Sequence, residues 1–108
     1  MVAGKIEKIV KDYIKAVKAR NISVEKVFLF GSYVENKADE WSDIDIAIIS
    51  PDFGKDKYLN ECLILREIKR EINLLISPEP YSLEEYKNAQ KGDFLYDEII
   101  KKGKLITT

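Results

Sequence analysis

Two short apolar runs joined through a glycine constrain this chain more than any other feature. Val24 to Phe30 is β-branched and aromatic and ends in Gly31-Ser32; ten residues later Asp43-Ile44-Asp45 opens a second apolar run to Ile49. Side chains alternate along a strand, so Asp43 and Asp45 share one face while Ile44, Ile46 and Ile48 share the other and enter a core. Aspartate is disfavoured inside strands, so two of them in an otherwise ideal strand point to function. Their carboxylates stand about 7 Å apart along the strand and can converge on one hard cation. Magnesium suits such a site: it takes one or two carboxylates and fills its other positions with water and substrate phosphates. Gly31-Ser32 supplies the complementary half, backbone N–H groups with no bulky side chain in the way and a hydroxyl, suited to cradling a phosphate. Together they read as a metal–nucleotide site.

The rest of the chain reads as support. From Lys5 to Arg20, apolar residues fall at Ile6, Ile9, Val10, Tyr13, Ile14 and Val17, the rhythm of an amphipathic helix whose other face is lysine-rich and solvated. Asn21 is a suitable stop. Ser32 to Glu35 is expected to start a short helix with its N-terminus at the phosphate site. Trp41, in a polar loop, is expected to lie as a lid over the core. Lys55 to Arg70 reads as a helix with Tyr58, Leu59, Cys62, Leu63 and Leu65 available for the core, and with Arg66, Lys69 and Arg70 at the end where cations suit the dipole. Ile72 to Ile76 reads as a third strand closed by Ser77-Pro78-Glu79-Pro80. Ser82-Leu83-Glu84-Glu85 is a capping box opening another helix, ended by Gly92, and Asp93 caps a last helix over Phe94 to Lys102. The pattern supports one domain over residues 1–108, of α/β or α+β class.

Charge and composition exclude several functions. Eighteen basic and nineteen acidic residues leave a net charge of −1, which gives no footprint for long nucleic acid. The lone cysteine, Cys62, forms no internal disulfide, and the absence of histidine removes every imidazole base or ligand. No apolar run approaches a signal peptide or a membrane span, so a cytoplasmic protein with no membrane association is expected.

Gly31-Ser32, ten residues, then Asp43-x-Asp45 within Ser42-Asp43-Ile44-Asp45-Ile46-Ala47-Ile48-Ile49 resembles the signature of the minimal nucleotidyltransferases, small members of the DNA polymerase beta-like superfamily. The resemblance spans most of the chain. It implies a small mixed β-sheet with helices packed on one side, metal binding and catalysis by Asp43 and Asp45, and triphosphate binding by Gly31 and Ser32. It also implies Mg2+ as cofactor and ATP or another NTP as substrate. Many family members have Ala-Arg-Gly where this chain has Val34-Glu35-Asn36. Asn36 can replace a glycine at positive φ, whereas Glu35 puts a negative charge where an arginine is usual, with Lys37 beside it. A two-metal site wants a third carboxylate, expected on the strand after the long helix. The residue placed there is Asn73, and Glu71 takes that role if the register differs.

Little of the chain is left over to bind an acceptor. The resemblance implies that it comes from a partner, a HEPN-type helical toxin whose tyrosine receives AMP, with this chain as antitoxin. Three readings remain open: that transfer; a nucleotide-binding module neutralising its partner by contact alone; and transfer to a small molecule, which needs a pocket formed between subunits. Homo- and hetero-oligomeric assemblies are both compatible with the sequence.

Overall fold

In the computed structural model, residues 2–39, 41–54 and 57–106 are described. Helix α1 (Val2–Ala19) is followed by strand β1 (Lys26–Phe30), a single 3-10 turn at Gly31–Tyr33, and strand β2 (Ile44–Ser50). Helix α2 (Lys57–Lys69), strand β3 (Ile76–Ser82) and helix α3 (Leu83–Asn88) come next. A π-helical segment (Leu95–Ile100) and the two-residue strand β4 (Lys104–Leu105) complete the chain. The strands form one mixed sheet in the order β3-β2-β1-β4, with β2 parallel to β3 and antiparallel to β1.

The two long helices pack on one side. Val10, Tyr13, Ile14 and Val17 of α1 are buried with Leu65 and Ile68 of α2 against Val27, Leu29, Ile44, Ile46 and Ile48 of the sheet. That is the α1 face expected from the 3–4 residue rhythm. Tyr13 ties the helices together: its hydroxyl donates to the carbonyl of Leu65 at 2.7 Å, 52 residues away. Burial pushes its phenol pKa well up, so it stays protonated and donating. Asn21 ends α1 at φ 64°, the left-handed conformation that lets a helix stop. The other sheet face is covered only in part: Leu95 and Ile99 of the π-helical segment, with Leu83 and Tyr86 of α3, pack on Phe28, Phe30, Ala47 and Ile49.

The structure revises several readings. The third strand begins at Ile76, where the sequence reading ended it, and the Ser77–Pro80 turn lies within it. The prolines fit because β3 is an edge strand. Leu75 accepts from the Ile44 N–H at 2.8 Å, so odd-numbered residues bond to β2 and the nitrogens of Pro78 and Pro80 face away from the sheet. Leu63 is 54% exposed instead of buried. Asp93 does not cap the last helix with its side chain; that carboxylate accepts from the Gln90 N–H. Strand β4 pairs Leu105 with Phe28 and Lys104 with Leu29, a ladder too short for periodicity to reveal. The capping box at Ser82 forms in full, Ser82 and Glu85 each accepting the other's N–H. Lys55 and the side chains of Tyr58 and Leu59 lie outside the described residues.

Candidate functional site

The site sits on the sheet face opposite α1 and α2, at the end where β1 finishes and β2 begins. Asp45 lies opposite Phe30 in the antiparallel ladder, so β1 delivers Gly31 directly beside it. Gly31 turns with φ 76°, a conformation that glycine alone adopts freely. The space its missing side chain leaves is occupied by the Asp45 carboxylate: a Cβ on Gly31 would collide with Oδ2 and stand 3.2 Å from Cγ. The glycine thus does two things. It reverses the chain out of β1, and it lets a carboxylate rest against the backbone of the Gly31–Tyr33 turn.

Ser32 and Tyr33 complete that turn, and its carbonyls point inward. Gly31 accepts from the N–H groups of Val34 and Glu35, and Ser32 from that of Lys37. The opening N–H groups of such a turn have no acceptor within it. Asn36 stands at φ 57°, the glycine-like conformation its place in the sequence suggests. Glu35 is exposed.

Asp43 precedes the first residue of β2 and is exposed, whereas Asp45 is half-buried. A small turn fixes the approach to them: Asp39 accepts from the Trp41 N–H at 2.8 Å, and the Ser42 hydroxyl accepts from the Asp39 N–H at 2.9 Å. Trp41 itself is 77% exposed and covers no core, contrary to the lid expected for it. Its backbone N–H is held by the turn.

Neither Asn73 nor Glu71 lies on the third strand. Asn73 sits in the turn before β3, where its amide oxygen accepts from the Leu75 N–H at 2.8 Å, and Glu71 is exposed just after α2. The carboxylate that β3 brings to the site's face is Glu79. It pairs with Ala47, two residues along β2 from Asp45, and so points to the same side. Its field reaches both neighbours. Asp45's carboxyl is raised above the usual range by burial first, then by the negative charges of Asp43 and Glu79. Tyr81 is pushed up to about 12 by burial, Glu79 and Glu85. The sequence held one usable signal for Glu79: an acidic residue alternating with prolines and an aromatic at period two.

Asp43, Asp45 and Glu79 bring negative charge to one side of the sheet, and hard oxygen donors are the kind that magnesium takes. Their mutual repulsion is the disfavoured charge that a divalent cation relieves. Among the described residues no three acidic or cysteine side chains stand together so as to hold a metal ion, so the three carboxylates are an open set.

Residues 7–108 match the family model for polymerase beta nucleotidyltransferases. Among curated proteins none matches the chain. Two solved structures share its fold. A Sulfolobus solfataricus protein, provisionally assigned as a nucleotidyltransferase, superposes with a TM-score of 0.63 at 17% identity, over 94% of this chain and 78% of that one. A chain of a toxin–antitoxin structure determined with AMP-PNP superposes with a TM-score of 0.56 at 20% identity, over 94% of this chain and 72% of that one. Among the described residues no helix is long and apolar enough to cross a membrane.

Proposed function

Because the chain belongs to the polymerase beta nucleotidyltransferase family, we propose that it is a magnesium-dependent enzyme transferring AMP from ATP to a partner protein. The observation that carries this reading is the contact between Gly31 and Asp45, with Asp43 and Glu79 on the same face. It supports a phosphate-binding turn beside a cation site, the arrangement that nucleotidyl transfer requires.

Asp43 and Asp45 would hold the metal, with Glu79 as the third carboxylate. Magnesium, when bound, neutralises charge on the triphosphate and favours the attacking oxygen. The turn N–H groups and the Ser32 hydroxyl receive phosphate oxygens. An acceptor hydroxyl then bonds to the α-phosphorus as the bond to the pyrophosphate oxygen breaks. With no histidine in the chain, the acceptor's proton passes to a carboxylate of this face or to water. The likeness to a toxin–antitoxin chain determined with AMP-PNP supports ATP as the nucleotide and a protein as the acceptor. We take that partner to be a HEPN-type helical toxin, with this chain as its antitoxin.

Titration calorimetry of ATP tests the site directly. Binding is expected with magnesium and not without it, and Asp43→Asn is expected to weaken it about tenfold or more, the scale of losing a charged metal ligand. Equal binding with and without magnesium would count against the site. Glu79→Gln discriminates further. Its expected effect is a loss of magnesium affinity of roughly 10- to 100-fold with the fold unchanged, a range typical of altered metal surroundings. Glu71→Gln, in the turn outside β3, should leave magnesium affinity as it is.

The open carboxylate set and the exposed Glu35 favour one second reading, a contact module whose nucleotide site does not turn over. Normal neutralisation of the partner by an Asp43→Asn, Asp45→Asn double variant would establish that reading over transfer.

A further inference from the structure

The outer face of α2 is built to be covered. Its inner side contributes Cys62, Leu65 and Ile68 to the core, yet Leu63 and Ile64 on its outer side are 54% and 40% exposed. Helix α1 shows the contrast: away from its apolar stripe it presents Lys8, Lys11, Lys15 and Lys18 to solvent. A helix that is apolar on both sides is normally sandwiched between two surfaces. The signal extends beyond α2, because Ile72 and Leu74, in the turn that follows, are also exposed, Leu74 by 70%. Four of the seven large hydrophobic side chains exposed among the described residues therefore fall within residues 63–74. Such clustering marks an interaction surface.

The charges on this face indicate what covers it. Arg66, Glu67, Arg70 and Glu71 alternate in sign, and Leu63, Ile64, Arg66, Glu67 and Arg70 line a shallow groove. An antiparallel copy of the same helix, centred between Arg66 and Glu67, sets each Arg66 against the other copy's Glu67. It also lays each Leu63 along the stem of the other copy's Arg70. Such self-complementarity under a two-fold axis is what an isologous interface needs. Within the chain Glu67 lies 3.4 Å from Arg20, but both side chains are about half exposed, so that pair is weak and the carboxylate can take a second guanidinium.

We propose that the chain forms a two-fold dimer with a second copy of itself through the outer face of α2. Helix α2 leads directly into β3, which is parallel to β2, so its C-terminal end lies at the Asp43 end of the sheet. Antiparallel α2 helices therefore direct the two sites to opposite ends of the dimer, each open to solvent. The inference stands on surface observations and does not depend on the proposed activity.

Sedimentation velocity from micromolar to sub-millimolar protein tests it. The wild type is expected to pass from the 12.5 kDa monomer to twice that mass. Leu63→Lys, which sets a cation against the other copy's Arg70, should raise the midpoint concentration about tenfold or more. Arg66→Glu and Glu67→Arg should each lose the dimer alone, since each sets like charges face to face. Mixed together they should recover it, because both ion pairs form between the two chains, and that recovery also shows each variant to be folded. A wild type that stays monomeric throughout, a Leu63→Lys variant that dimerises like the wild type, or a mixture that stays monomeric would each overturn the proposal.

Discussion

Asp45→Asn is expected to reduce nucleotidyl transfer by about a thousandfold or more while making the metal-free protein more stable. On the proposed function the loss follows from removing a charged ligand where the cation and the phosphates would meet, since electrostatic stabilisation of the transition state is the largest lever such a site has. The gain in stability follows from the same charge. Burial, Asp43 and Glu79 all raise the Asp45 carboxyl, so folding holds its ionised form in an unfavourable place. An amide of the same shape does not carry that penalty. A melting temperature roughly 2–6 °C higher is the expected size for a domain of this length. The pH dependence gives the sign. A carboxyl raised in the folded state binds its proton more readily there than in the unfolded chain, so it destabilises above its folded value and ceases to do so below the ordinary Asp range. The advantage of Asp45→Asn should therefore be full at neutral pH and shrink as pH falls through the raised value. Urea melts of both proteins at neutral and mildly acidic pH, without metal, measure this. A variant no more stable than the wild type at neutral pH would remove the electrostatic account of the site.

Gly31→Ala is expected to damage both stability and function, through two separable causes. The positive φ costs an L-residue about 1–2 kcal/mol, which lowers the melting temperature by several degrees. The added methyl also enters the space of the Asp45 carboxylate, so that side chain must turn away from the cradle. Magnesium-dependent ATP binding and transfer should fall by about a hundredfold or more, as displacements of an ångström do in a site of this kind. Gly92→Ala is the matched comparison. Gly92 has φ 104°, but nothing stands within 4 Å of a Cβ built on it. That variant should lose stability and keep its activity. Equal activity losses in the two variants would mean that backbone strain, and not the Asp45 contact, accounts for the effect.

The elements that the sequence disclosed are those whose side-chain periodicity is set by a single buried face. Helix α1 has its apolar stripe, and the Gly31–Asp45 unit is legible because aspartates at period two stand out on an isoleucine-rich strand. Strand β3 hid because two prolines imitate a turn; only their place at the sheet's edge, which is a property of the tertiary fold, makes them compatible with a strand. Glu79 was lost with it, since a residue taken for a loop cannot be put on a face. Leu63 was misplaced for a related reason. Periodicity shows that a helix carries apolar residues, but not which of two apolar sides the sheet takes. The lid expected of Trp41 fails because the position of the ring depends on a turn made by Asp39 and Ser42.

The prolines of β3 also bear on how the molecule meets its own kind. An uncovered strand edge is an invitation to another polypeptide, which can add itself to the sheet by hydrogen bonding. Pro78 and Pro80 withhold two donors from that outward rim, and the Ile76 carbonyl on the same side is already taken by the Lys69 ammonium at 2.8 Å. At the opposite rim β4 is only two residues long. Among the described residues, then, neither border offers a long unbroken row of backbone donors and acceptors to an added strand.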